Sequence, residues 1–216
     1  MRRSRRFGGV LAGFLLVGVA VAPAVQAAEP PPELHECSVQ LLDGDRRLGP
    51  ERLPSLGPVA MQLSGYNRTG GRSVDAFLDE FYDPAADTWR YPPADGYVLG
   101  YAGEPVVWQD TLDVGERIDR YGSEYGSFLA PQGIPYTMRS IPPSNLVGMP
   151  PAECNYHLYE VVRPFAVDAG PIAPWFFQSG SGTQYQLAAR LIPGAPPSVS
   201  VLWLLDNGYL DRVPPR

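Results

Sequence analysis

The sequence predicts an α+β fold: a small, mainly antiparallel β-sheet core with few short helices, preceded by an N-terminal accessory arm and helix. Three observations carry this. From Trp89 onward the apolar runs are short and are broken by Gly and Pro, as strands and turns require. Only two stretches show helical spacing, one near 73–82 and one near the C-terminus. No segment repeats, which sets aside solenoids and propellers.

Taken in order, the first 27 residues read as an export signal. Arg2, Arg3, Arg5 and Arg6 make a basic start, Gly8 to Val25 an apolar centre, and Val25-Gln26-Ala27 a small-x-small cleavage site. A cleaved signal is therefore expected rather than a membrane anchor, and with it secretion. Residues 28–88 form an accessory region. Its first half is rich in Pro and Gly and irregular, and "SVDAFLDEFY" then sets Val74, Phe77, Leu78 and Phe81 at helical spacing with Ser73 as the cap. Asn67-Arg68-Thr69 is a glycan acceptor triplet. Residues 89–216 form the main domain. Strand-like runs are "GEPVVWQDTL", "ERIDRYG", "YHLYEVVRPFAV" and "TQYQLAARLI"; "SVSVLWLLDNGYL" is a final helix with Ser198 as cap and Gly208 as stop.

Every one of the 17 basic residues is arginine. Without the four in the signal, 13 arginines face 23 acidic residues, a net charge of about −10. That balance argues against a nucleic-acid or anionic-membrane partner. The absence of lysine removes Walker-type phosphate loops, Schiff-base enzymes and serine-lysine nucleophiles. Cys37 and Cys154, the two cysteines of an exported chain, are expected to form one disulfide. In the chain-entropy model so long a loop contributes about 4–5 kcal/mol.

Familiar catalytic signatures are missing: there is no GxSxG, no HExxH, and "GSGTQY" lacks the strand-turn-helix context of a dinucleotide fingerprint. What remains is a set of polar residues in strand patterns. Alternation over 116–121 puts Ile118 and Arg120 on one face and Asp119 and Tyr121 on the other. Arg120 could line a cleft, although pattern alone favours a solvated ion pair. Arg139 sits before Ile141 and two prolines, which hold the chain extended; two guanidiniums would suit a pyrophosphate, and either could equally be solvated. Gln184 and Gln186 share a face, fitting a hydroxyl-orienting role or a cross-strand bond. His157 fits a satisfied sheet histidine, and "APWFFQ" fits core or a stacking platform.

Taken together and in order, "YPPADGY", "AGEP", "IDRYGSEYGSFLAP", "IPYTMRSIPP", "YHLYEVVRPFAV", "AGPIAPWFFQSGSGTQYQL" and "LLDNGYL" resemble the tuberculosis necrotizing toxin (TNT) domain, which secreted fungal NADases share. The resemblance covers nearly all of residues 89–213. It implies an NAD+ glycohydrolase that cleaves the nicotinamide–ribose bond of NAD+ and of NADP+ without a cofactor. It implies catalytic roles for Arg120, Gln184 and His157, and substrate contacts from Arg120, Phe128, Arg139 and Gln184. The arginines would hold the pyrophosphate, Phe128 would stack near the nicotinamide or ribose, and Gln184 would hold the ribose or the attacking water. Fungal relatives bind calcium through residues beyond the core; with six residues after "NGYL", no metal is expected. The partners it suggests beyond NAD+ and NADP+ are an immunity protein and a second copy of the chain. ADP-ribosyl transfer to a protein is the competing enzyme reading, disfavoured by the lack of a Glu-x-Glu signature. An inactive secreted binding module is the competing non-enzyme reading, disfavoured by the four site residues occurring together.

Overall fold

The computed structural model describes residues 34–214; the export segment expected over 1–27 lies outside them. The chain enters as an irregular arm with single 3-10 turns at Leu42–Gly44 and Arg46–Leu48. Helix α1 (Gly57–Gln62) follows, too short to show a periodic stripe in the sequence. The expected disulfide joins Cys37 in this arm to Cys154, with Cα atoms 5.2 Å apart across a sequence separation of 117.

Helix α2 (Val74–Phe81) forms where its spacing predicts, and Ser73 Oγ accepts from the Ala76 amide at 3.2 Å. Its Phe77 and Phe81 are buried against Phe176, Trp89 and Trp175, so within the "APWFFQ" corner Phe176 is core and Trp175 half-buried, while Phe177 is exposed. Burial of each ring contributes about 1.5–3 kcal/mol. A two-stranded ribbon, β1 (Tyr82–Asp83) and β2 (Thr88–Trp89), leads out of this cluster.

The main sheet has seven strands: β3 (Trp108–Leu112), β4 (Arg117–Tyr121), β5 (Phe128–Pro131), β6 (Tyr156–Val161), β7 (Phe165–Pro171), β8 (Thr183–Gln186) and β9 (Leu210–Val213). Their order is β3-β7-β8-β5-β4-β6-β9, and every pairing is antiparallel. One face, with Ile118, Leu129, Tyr159 and Val161, packs under α3 (Val201–Asp206) through Val201 and Leu204. On the other, Tyr121, Tyr156 and Leu158 meet Cys37, Val59 and Leu63 from the accessory region. The inner strands β4 and β6 thus alternate between two covered surfaces, whereas the edge strands β3 and β9 expose side chains to solvent.

Several boundaries differ from the sequence reading. In "GEPVVWQDTL" only Trp108–Leu112 is a strand, and "YHLYEVVRPFAV" breaks at Val162–Pro164 into two strands that do not pair with each other, β6 between β4 and β9 and β7 between β3 and β8. "TQYQLAARLI" leaves the sheet after Gln186 and makes a 3-10 turn at Ala189–Leu191. The final helix is capped by Ser200, not Ser198: Ser200 Oγ accepts from the Trp203 amide at 3.2 Å. Strand β9, whose Asp211 and Arg212 are exposed, carries no apolar alternation and is fixed by its ladder with β6.

One irregularity positions the site. Strand β4 stays paired with β6 through Tyr121↔Tyr156 but pairs with β5 only at Ile118↔Pro131 and Asp119↔Ala130. Beyond Asp119 the two strands part, and the Gly122–Ser127 loop joins them.

Candidate active site

A cavity of about 420 Å³ opens at that split. Its walls come from β4 at 119–121, β5 at 128–130, Gln184 of β8, the turn Tyr91–Gly96 and the segment Arg139–Asn145. Its size falls in the range of roughly 300–1,000 Å³ typical of small-molecule sites. Arg120, Phe128, Arg139 and Gln184, four residues spread over 65 positions of sequence, all line it.

Arg120 starts on the Ile118 face but its guanidinium turns into the gap between β4 and β5. Nε donates to the Ser123 carbonyl at 2.8 Å and Nη1 to the Phe128 carbonyl at 2.6 Å. The glycines of "RYGSEYG" make this space: a Cβ on Gly126 would come within 2.0 Å of Arg120 Nη2. Among the described residues Arg120 forms no ion pair; burial pulls its pKa down, and nearby Tyr159, Tyr91 and Glu124 counter this in part. The positive charge is therefore held in place but not neutralised, which is the condition for binding an anion.

Arg139 is held differently. Its Nη1 is 2.7 Å from Asp119 Oδ1, its Nη2 donates to Gln62 Oε1 and to the Ile134 carbonyl, both at 3.0 Å, and its Cζ lies 5.1 Å from the Tyr121 ring centre. Asp119 is fully buried, and its Oδ2 accepts from the Gly133 amide and the Tyr156 hydroxyl. Arg139 thus forms part of the cavity wall with its charge compensated.

Phe128 opens β5 opposite Gln186, giving its carbonyl to Arg120 and a place on the wall. Gln184, buried, donates from Nε2 to the Asp95 carbonyl at 2.9 Å. The Tyr91–Gly96 turn reaches the site because Ala94, Asp95 and Gly96 adopt left-handed φ of 51°, 54° and 82°. Tyr91 stands at the wall with its phenol raised by burial, an effect that nearby Arg120 opposes.

His157 is not brought to the cavity. It lies directly across from Arg120 on β6, with its Nε2 3.3 Å from Asn155 Oδ1 and its Nδ1 3.9 Å from Glu124 Oε1. Burial lowers its pKa, favouring the neutral ring. Glu124 also accepts from Tyr159 Oη at 3.0 Å and from Arg212 Nε at 2.9 Å. This cluster fastens the loop whose Ser123 carbonyl holds Arg120. Among the described residues no group of three or more His, Cys, Asp or Glu is placed to hold a metal ion.

Sequence reasoning over single residues passed over Tyr91, Asp95, Asn145 and Glu124. The signal was the left-handed turn within "YPPADGY", but its contact with Gln184 spans 89 residues and cannot be read from spacing.

The sequence model of the tuberculosis necrotizing toxin family matches residues 111–213. The conidial surface nicotinamide adenine dinucleotide glycohydrolase nadA of Aspergillus fumigatus is 46% identical over 175 residues, covering 79% of this chain and 70% of the fungal protein. The structure of tuberculosis necrotizing toxin complexed with its immunity factor shares the fold, with a TM-score of 0.51 and 18% identity over 91% of this chain and 98% of the toxin chain. On sequence, and with a matching fold, the chain belongs to the tuberculosis necrotizing toxin family.

Proposed function

We propose that this protein is a secreted NAD+ glycohydrolase that hydrolyses the nicotinamide–ribose bond of NAD+ and of NADP+. The observation that carries the reading is the uncompensated Arg120 in a cavity that also gathers Phe128 and Gln184. The identity with the fungal glycohydrolase supports it over most of the chain.

The chemistry suits these groups. Nicotinamide departs as a neutral molecule, so no acid has to protonate it, and the two-carboxylate machinery of ordinary glycosidases is not required. Arg120 offers its free N–H groups to the pyrophosphate. Phe128 packs against the nicotinamide or ribose, and Gln184, fixed through Nε2, has its Oε1 left to accept from a ribose hydroxyl or the attacking water. Phosphate binding at a distance positions the ribose for cleavage. Arg139 contributes by holding Asp119 and the cavity wall, and His157 by bracing the Glu124 loop. No cofactor or metal takes part in this scheme.

Secretion is supported by the composition of residues 1–27 and by the surface location in the fungal relative's name. An immunity protein is a proposed partner because the toxin was solved with its own. Val106, Val107 and Trp108, exposed beside or on edge strand β3, are the surface that would support a homodimer.

The test is incubation of the purified mature chain with NAD+, with NADP+ and with a fluorescent etheno analogue. Equal amounts of nicotinamide and ADP-ribose (or its phosphate) are expected, with no ADP-ribose attached to added protein. Arg120→Ala should lower kcat/KM by roughly 10²–10³-fold, the loss of a charged contact, with Tm little changed. An inert wild type, or an Arg120→Ala variant as active as wild type, would sink the reading.

A further inference from the structure

We propose that Asp95 is a catalytic residue, the carboxylate that stabilises the positive charge developing on the ribose as nicotinamide leaves. The inference rests on the glycohydrolase reading and adds to it the group that faces the reacting ring.

The reaction defines what is missing. The C1′–N bond breaks with its electron pair going to the nicotinamide nitrogen, which becomes neutral, and the ribose acquires oxocarbenium character. Water then bonds to C1′ and releases one proton to solvent. Nothing in the scheme so far opposes that cation: Arg120 and Arg139 are positive, and Phe128 and Gln184 are uncharged. A fixed anion aimed at developing charge is the kind of group that gives large rate effects in a partly enclosed site.

Two acidic residues line the cavity, Asp95 and Asp119. Asp119 is fully buried, ion-paired to Arg139 through Oδ1 and hydrogen-bonded twice through Oδ2, so its charge is already used by the fold. Asp95 is exposed at the wall and forms no ion pair among the described residues. Its position is nonetheless fixed. The consecutive left-handed residues Ala94, Asp95 and Gly96 turn the chain inward, and Gln184 Nε2 holds the Asp95 carbonyl at 2.9 Å. The two ends of the cavity are thereby sorted by charge. The cation sits at the β4/β5 split, where it can meet the pyrophosphate, and Asp95, its backbone held by Gln184, sits on the Tyr91–Gly96 turn, from which its carboxylate can meet the ribose hydroxyls and ring.

The electrostatics of the neighbouring Tyr97 support the same reading. Burial first, then the Asp168 and Asp95 carboxylates, hold the Tyr97 phenol well above its ordinary value, while Gln184 acts on the same hydroxyl in the opposite sense. Asp95, Tyr97 and Gln184 therefore share one electrostatic neighbourhood. The protonated Tyr97 donates to the Asp168 carbonyl at 3.1 Å, which fixes its ring.

The experiment compares wild type with Asp95→Asn. Asn removes the charge, keeps the shape and tolerates the left-handed φ that this position requires, so the turn and its bond to Gln184 survive. With NAD+ as substrate, kcat should fall by roughly 10²–10³-fold while KM changes by less than about threefold and Tm stays the same. Asp95→Glu, which restores the charge on a longer arm, should recover part of that loss. An Asp95→Asn enzyme whose kcat matches an active wild type overturns the assignment, as does a loss confined to KM. An inert wild type overturns the underlying glycohydrolase reading, and the role falls with it.

Discussion

Two arginines stand at one cavity in opposite conditions. Arg120 lies in a glycine-lined gap between parting strands and is held only by the carbonyls of Ser123 and Phe128. Arg139 is locked by Asp119, Gln62 and Ile134 against the Tyr121 ring. Carbonyls fix a guanidinium's direction without cancelling its charge, whereas a buried carboxylate cancels it. The first arrangement leaves a cation for a ligand; the second converts a cation into part of the frame. In the proposed scheme, two residues of the same type at one cavity divide between binding and support.

The sharpest way to break the comparison is Arg139→Ala. Removing it leaves Asp119 charged and unpaired in a dry interior, which costs about 3–5 kcal/mol. Tm should fall strongly, and activity with it, in contrast to Arg120→Ala, where Tm holds. Adding Asp119→Asn to Arg139→Met should recover much of the stability, since the orphaned charge is then gone. If Arg139→Ala melts like wild type and loses only NAD+ affinity, Arg139 belongs with Arg120 as a ligand contact.

A smaller effect comes from the arm. Gln62, which holds Arg139, ends the helix that follows the Cys37 segment, and Cys37 is tied to Cys154. Replacing both cysteines by Ser should cost about 2–4 kcal/mol, read as a shift in urea midpoint. At temperatures where the variant stays folded, kcat should remain near wild type, because neither cysteine lines the cavity.

The smallest effect concerns the loop behind Arg120. Burial alone would raise the Glu124 carboxyl, but hydrogen bonds from Arg212 and Tyr159 outweigh it and hold it below its ordinary value. A carboxyl depressed in the folded state contributes stability that is complete above the ordinary glutamate range and is lost as pH falls through the folded value. Arg212 is mostly exposed, so Arg212→Ala should cost about 1 kcal/mol or less. The difference from wild type should shrink as the solution is acidified below the glutamate range, in urea titrations across pH. A gap that widens toward acid would reverse the assigned sign.

Much of the frame was legible in advance. The α2 stripe of Phe77 and Phe81, the alternation of Ile118 and Arg120 and the Cys37–Cys154 pairing depend on local periodicity or on simple counting. The polar strand β9 was not, because its place is set by a ladder with β6 rather than by its own pattern. For the site, ordered family motifs named Arg120, Phe128, Arg139 and Gln184, and folding brings all four to one cavity. His157, named by the same motifs, stays outside it, held beside Asn155 and Glu124.

The sequence by itself determined the α+β class, the acidic surface, the disulfide and the residue types available for chemistry, since composition and short-range spacing decide these. The tertiary structure alone settles which arginine at the cavity is paired with a carboxylate and which aspartate there is left without an ion pair among the described residues. Those depend on Asp119 meeting Arg139, on Gln184 reaching back to Asp95, and on β4 leaving β5 after Asp119. Desolvation and ion pairing are set by the three-dimensional neighbourhood, and no local pattern in the chain encodes it.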